Sequence, residues 1–122
     1  MEQGIAFVPF APLGRGFRTG RFSSFDDLPE GDLRRRLPCF QRDALRANLA
    51  IVGRVREIAG RGATPAQVAL AWLLDQGRYV VPVPGTRAPT HLADTAGAAD
   101  VKLSAADLAD LDALPAPEGG RY

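Results

Sequence analysis

Three residue types that build common chemical sites are almost missing from this chain. Cys39 is the only cysteine, which excludes an internal disulfide and a cysteine-ligated metal cluster. His91 is the only histidine, which excludes a multi-histidine metal centre. Lys102 is the only lysine, so the basic side chains are almost all arginine, the residue suited to bidentate phosphate contacts. The formal net charge is +1, too small for a global field that would draw the chain to nucleic acid or an anionic membrane. No apolar run approaches the roughly 20 residues of a spanning helix. Met1-Glu2-Gln3 lacks the basic and apolar regions of a signal peptide, so the expected location is the cytoplasm.

What is present suits one soluble domain: 122 residues, 46% hydrophobic and 24% charged. Gly4 to Phe10 is a short apolar, β-branched and aromatic run that reads as a buried strand, with Pro9 at its end or at a bulge. Ala11-Pro12-Leu13-Gly14-Arg15-Gly16 follows as a turn. Residues 17–39 show no period and read as a long loop, which in a compact domain is functional or disordered. Within it Asp32 to Arg36 suits a helical turn, and Arg34, Arg35 and Arg36 form either a solvated face or part of a closing loop over an anion.

Residues 41–60 read as an amphipathic helix, with Leu45, Leu49, Val52, Val55 and Ile58 on one face and Asn48 among the polar positions. Thr64-Pro65-Ala66-Gln67 is a helix start: Thr64 caps, Pro65 is preorganised and Gln67 reaches back. That helix runs to Gly77, is apolar around most of its circumference and is expected to be largely buried, with Trp72 in the core. Residues 89–98 form a short helix. Ser104 caps another, with Asp107 three residues on and Leu111 and Leu114 extending its apolar stripe. Residues 115–122 are a tail.

Tyr79-Val80-Val81-Pro82-Val83-Pro84-Gly85-Thr86-Arg87 carries the clearest chemical signal. A buried strand at 79–83 delivers backbone N–H groups, a hydroxyl and a guanidinium to one point just before a helix, an arrangement that suits an anion, most often phosphate. Two strands alternating with helices argue for parallel pairing through crossovers. Two parallel strands alone, however, leave two edges and both faces uncovered. The chain therefore reads as α/β and as part of something larger.

Phe7-Val8-Pro9-Phe10-Ala11-Pro12-Leu13-Gly14-Arg15-Gly16, Thr64 to Leu74 and Val81 to Arg87 resemble the aldo-keto reductases in order and approximate spacing, with Leu103-Ser104 to Leu114 similar to that family's C-terminal helix. The likeness is strongest to the NADPH-dependent bacterial and plant branch. It implies a (β/α)8 TIM barrel of about 250 residues or more, of which residues 1–122 correspond to the C-terminal quarter, from strand seven to the terminal helices, incomplete alone. The family's catalytic aspartate, tyrosine, lysine and histidine lie on earlier strands. Tyr79, Tyr122, Lys102 and His91 do not match them, so no catalytic residue is expected here.

The same resemblance implies NADPH as cofactor. Phe10 would lie against the nicotinamide, and Ala11, Pro12, Leu13, Gly14 and Arg15 would wrap the pyrophosphate. Gly85, Thr86, Arg87 and His91 would meet the adenosine 2′-phosphate. Asp94 and Thr95, in place of a usual Glu-Asn pair, would lie near the adenine. Three readings stay open: the cofactor-binding portion of a carbonyl reductase, a non-catalytic remnant or weak nucleotide binder, and one half of a split barrel that needs a partner chain. The chain alone is expected not to reduce carbonyls.

Overall fold

The computed structural model describes residues 3–9, 12–13, 24–60 and 62–119. Its elements are α1 (Arg42–Ala59), α2 (Pro65–Asp75), α3 (Pro89–Ala96) and α4 (Ala105–Asp112), with short 3-10 turns at Phe25–Asp27, Leu33–Arg36, Pro38–Phe40 and Gly97–Asp100.

Helix α1 is the spine. Its apolar positions fall where the three-four spacing puts them, and they divide between two clusters. Leu45 and Val52 pack with Leu28, Leu37 and Phe40, beside the half-buried Phe25, Cys39 and Leu49. Val55, Ile58 and Ala59 pack with Val68 of α2 and Leu111 of α4, beside Trp72, Leu103 and Leu114. The Arg54 guanidinium bonds the Asp110 carboxylate at 2.8 Å, tying α1 to α4 at an exposed site where such a pair adds little stability.

Two expectations about α2 need correction. The helix ends at Asp75, and only Ala66, Val68, Leu70 and Ala71 are buried. Trp72 is half-buried rather than a core residue, because its indole N–H reaches outward to the Asp112 carboxylate at 2.8 Å. An indole buried completely would have needed that partner inside the core.

In place of the two strands expected at 4–10 and 79–83, the described residues show isolated bridge positions: a parallel bridge between Phe7 and Val80, and a further bridge residue at Val83. Phe7 N–H donates to the Tyr79 carbonyl at 2.8 Å, and Val81 N–H donates to the Phe7 carbonyl at 2.9 Å. The next rung in this register would run from residue 9 to the Val81 carbonyl. Pro9 has no N–H to give. Beyond it, Val83 N–H reaches the Pro9 carbonyl at a long 3.4 Å. At the other end Gly77, at φ 149°, turns the chain out of α2 immediately before the bridge.

This ladder is also uncovered. Ile5, Phe7, Val8, Val81 and Val83 are 50–58% exposed, although they were expected to be buried strand residues. Burial of a side chain of this size is worth about 1.5–3 kcal/mol, and here much of that stabilisation is not realised.

The 24–40 segment is organised by polar contacts. Asp32 caps the Leu33–Arg36 turn by accepting from Arg34 N–H at 2.9 Å, and its carboxylate also takes the Arg34 guanidinium at 2.6 Å. That side-chain bond holds the Asp32 carboxyl below its usual range. The guanidinium groups of Arg35 and Arg42 lie 4.5 and 4.7 Å from the Phe25 ring centroid.

Asn48, on α1, is 1% exposed and fully bonded. Its amide nitrogen donates to the carbonyls of Cys39 (3.1 Å) and Glu118 (2.9 Å), while its oxygen accepts from Glu118 N–H at 2.6 Å. It thus clasps the C-terminal tail to α1 and to the end of the 24–40 segment. Gly119 makes the closest approach: at φ 84°, its missing Cβ would lie 2.7 Å from the Cys39 Cα. Asn48→Ala removes the side-chain partner of three backbone groups, the Cys39 carbonyl and the Glu118 carbonyl and N–H. It is expected to cost about 1–3 kcal/mol, read as a lower urea midpoint; an unmoved midpoint contradicts the clasp.

Candidate functional site

The parallel bridge decides which loops meet. In a parallel pair both chains run the same way, so the segments that follow them leave from one end of the ladder. After Pro9 the chain continues to Pro12 and Leu13; after Val83 it continues to Gly85, Thr86 and Arg87. The two loops that the sequence singled out therefore leave the same end of one ladder. Pro12 is buried and Leu13 half-buried. Phe10, Ala11, Gly14 and Arg15 lie outside the described residues.

Gly85, Thr86 and Arg87 are exposed. A Cβ added at Gly85 would meet nothing within 4 Å, so the backbone there is open to close approach. The Thr86 hydroxyl accepts from Ala88 N–H at 3.2 Å and shapes the step into α3. Ala88 occupies the N-cap of α3 and Pro89 follows it, so no N-cap side chain bonds the first N–H groups of this helix. By contrast Thr64 and Ser104 close capping boxes on α2 and α4. His91 lies exposed in the first turn of α3, and among the described residues no carboxylate is paired with either His91 or Arg87. One guanidinium, one imidazole and a helix N-terminus thus lie within a few residues of one another, a donor set for a multiply charged anion, while the Thr86 hydroxyl donates to the Ala88 carbonyl at 3.3 Å.

Asp94 and Thr95 behave differently. Asp94 Oδ2 accepts from the Thr64 hydroxyl at 3.0 Å, and the Asp94 carbonyl accepts from the Gln67 side-chain amide at 2.8 Å. The Thr95 hydroxyl donates to the Leu92 carbonyl at 3.0 Å. Both side chains are engaged with protein, Asp94 across 30 positions of sequence to the start of α2. Residues so far apart in sequence carry no local signal of pairing. Among the described residues no group of three or more histidine, cysteine, aspartate or glutamate side chains could hold a metal ion, and no helix is long and apolar enough to cross a membrane.

Comparison with known proteins places the chain. The family model described as the Aldo/keto reductase family matches residues 1–116. Aldo-keto reductase yakc of Schizosaccharomyces pombe, whose name specifies NADP(+), is 45% identical over 111 residues, 90% of this chain and 33% of that protein. Probable aldo-keto reductase 1 of Glycine max is 43% identical over 125 residues, 99% of this chain and 36% of its own length. Aldo-keto reductase str7 of Strobilurus tenacellus is 39% identical over 109 residues, 88% of this chain and 32% of that protein. The chain belongs to the aldo/keto reductase family, which implies a TIM barrel, and it spans about a third of the length of these relatives.

Because one bridge brings the two loops together, breaking it is a direct check. Val81→Pro removes the N–H that the Phe7 carbonyl accepts. The Phe7 amide, protected by Tyr79, is then expected to exchange its hydrogen at least about tenfold faster while α1 amides stay unchanged. Equal exchange in both proteins would mean that the bridge does not hold the loops.

Proposed function

We propose that this chain is the NADPH-binding, C-terminal quarter of a carbonyl-reducing aldo/keto reductase barrel, working in the cytoplasm. The observation that supports the reading is the parallel Phe7–Val80 pairing, after which the residues that follow Pro9, with Pro12 and Leu13 among them, and those that follow Val83 leave from the same end. In barrels of this kind that end commonly forms a phosphate site, built from the last two loops and a short helix.

The residues suit the group. Arg87, His91 and the open N-terminus of α3 would hold the adenosine 2′-phosphate, with Gly85 allowing close approach and Thr86 adding a hydroxyl. Pro12, Leu13, Gly14 and Arg15, with Ala11, would enclose the pyrophosphate, and Phe10 would stack on the nicotinamide. Asp94 and Thr95 would face the adenine side, Asp94 with the carboxylate oxygen that Thr64 leaves free. The bound cofactor supplies the hydride for an aldehyde or ketone. This chain's own part is to bind and orient it. The proton donor and the other catalytic side chains would come from the part of the barrel that precedes these residues in its relatives. The exposed row of Ile5, Phe7, Val8, Val81 and Val83 supports a further barrel portion, continuous with this chain or separately encoded, as its covering partner.

Titration of NADPH and NADH fluorescence with the chain tests the reading. NADPH is expected to bind more tightly than NADH. Arg87→Ala is expected to weaken NADPH by about tenfold or more, and NADH by less than about twofold. Equal binding of the two dinucleotides overturns the 2′-phosphate role of Arg87, and no binding of either favours a remnant.

A further inference from the structure

Helix α3 holds His91 and begins two residues after Arg87, yet it has no buried residue, and Leu92 on its surface is 59% exposed. A helix of eight residues is not stable by itself in water. Apolar burial holds only the turn that continues it, where Ala98 is buried, so the position of α3 itself depends on polar contacts. Those contacts form a closed set. Thr64 N–H donates to Gln67 Oε1 at 3.0 Å, and Gln67 N–H donates to the Thr64 hydroxyl oxygen at 3.2 Å. The Thr64 hydroxyl in turn donates to Asp94 Oδ2 at 3.0 Å, and Gln67 Nε2 donates to the Asp94 carbonyl at 2.8 Å. One glutamine side chain therefore serves both the start of α2 and the last turn of α3, where a helix runs short of internal donors. Helix α2 is anchored in turn by Ala66, Val68, Leu70 and Ala71. Gly97, just past α3, gives the glutamine room: a Cβ there would stand 2.7 Å from Gln67 Nε2.

We infer that Thr64, Gln67 and Asp94 are positioning residues that lock α3 to the buried start of α2, and so hold Arg87 and His91 in register for the 2′-phosphate, a role that rests on the dinucleotide reading above. In this chain Asp94 then acts mainly through its contacts with α2. Discrimination between NADPH and NADH then depends on Thr64 and Gln67, which touch neither cofactor. Asp94→Asn keeps an acceptor for the Thr64 hydroxyl and is expected to preserve the lock.

The test compares the wild-type chain with Gln67→Leu, Gly97→Ala, Thr64→Val and Thr64→Ser. Gly97→Ala is the mildest, because Gly97 already has helical backbone angles (φ −62°, ψ −16°) and alanine there only displaces the glutamine amide. Two readouts are taken: amide hydrogen exchange along α3 and α1, and affinities for NADPH and NADH. Gln67→Leu, Gly97→Ala and Thr64→Val are expected to speed exchange across His91–Ala96 by about tenfold and to cut the preference for NADPH by a similar factor, with α1 unmoved. Thr64→Ser keeps the hydroxyl and is expected to behave as wild type. Unchanged α3 exchange in Gln67→Leu and Gly97→Ala overturns the lock. Faster exchange with an unchanged NADPH preference leaves the contacts structural and overturns the positioning role. If the wild-type chain binds neither dinucleotide, the dinucleotide reading and the positioning role both fail, while exchange still decides whether the three residues hold α3.

Discussion

The candidate site depends on one short piece of parallel backbone pairing. Phe7 sits between Tyr79 and Val81, giving its N–H to one and its carbonyl to the other. With that register, the loop after Pro9 and the loop after Val83 leave the same end. With antiparallel pairing they would leave opposite ends, and no shared anion site could form. Proline weakens the pairing: Pro9 cannot supply the next donor, while Pro82 and Pro84 stand at alternate positions whose nitrogens face away from this partner.

Away from the ladder the chain is held by α1. Its apolar stripe serves both clusters, and the buried Asn48 amide ties in the C-terminal tail. The apolar side chains of the ladder find no such cover, and their exposure contrasts with the near-complete burial of Leu45, Val52 and Val68. That contrast marks a face that the described residues leave uncovered. A parallel sheet is stable when both its faces are covered, and a family whose curated relatives are about three times this length has the chain to cover them.

Local chemistry was legible in the sequence. Thr64 and Gln67, and Ser104 and Asp107, form the capping boxes their spacing announces. Leu45, Val52, Val55 and Ile58 face inward as their period requires, and Asp32 caps a short turn. What the sequence hid was set by distance. Asn48 occupies a position of α1 that looks polar and solvated, and only the tail 70 residues on makes it buried. Asp94 looks like a surface carboxylate until Thr64 meets it. Trp72 looks like core until Asp112 draws its N–H outward. The ladder's shortness was legible in part, through Pro9, but strand extent also depends on neighbours, which no local run of valines encodes. Pro84-Gly85-Thr86-Arg87 before a helix was legible as a candidate anion turn, while its convergence with the Pro12 loop rests on pairing.

The most direct measurement is an amide chemical-shift map of the isotopically labelled chain titrated with NADP+. The account predicts perturbations concentrated at Leu13, at Gly85 to Arg87 and in the first turn of α3 at Thr90 and His91, with α1 and α4 unmoved. Saturable perturbations centred elsewhere, or none in those segments at millimolar nucleotide, would contradict it.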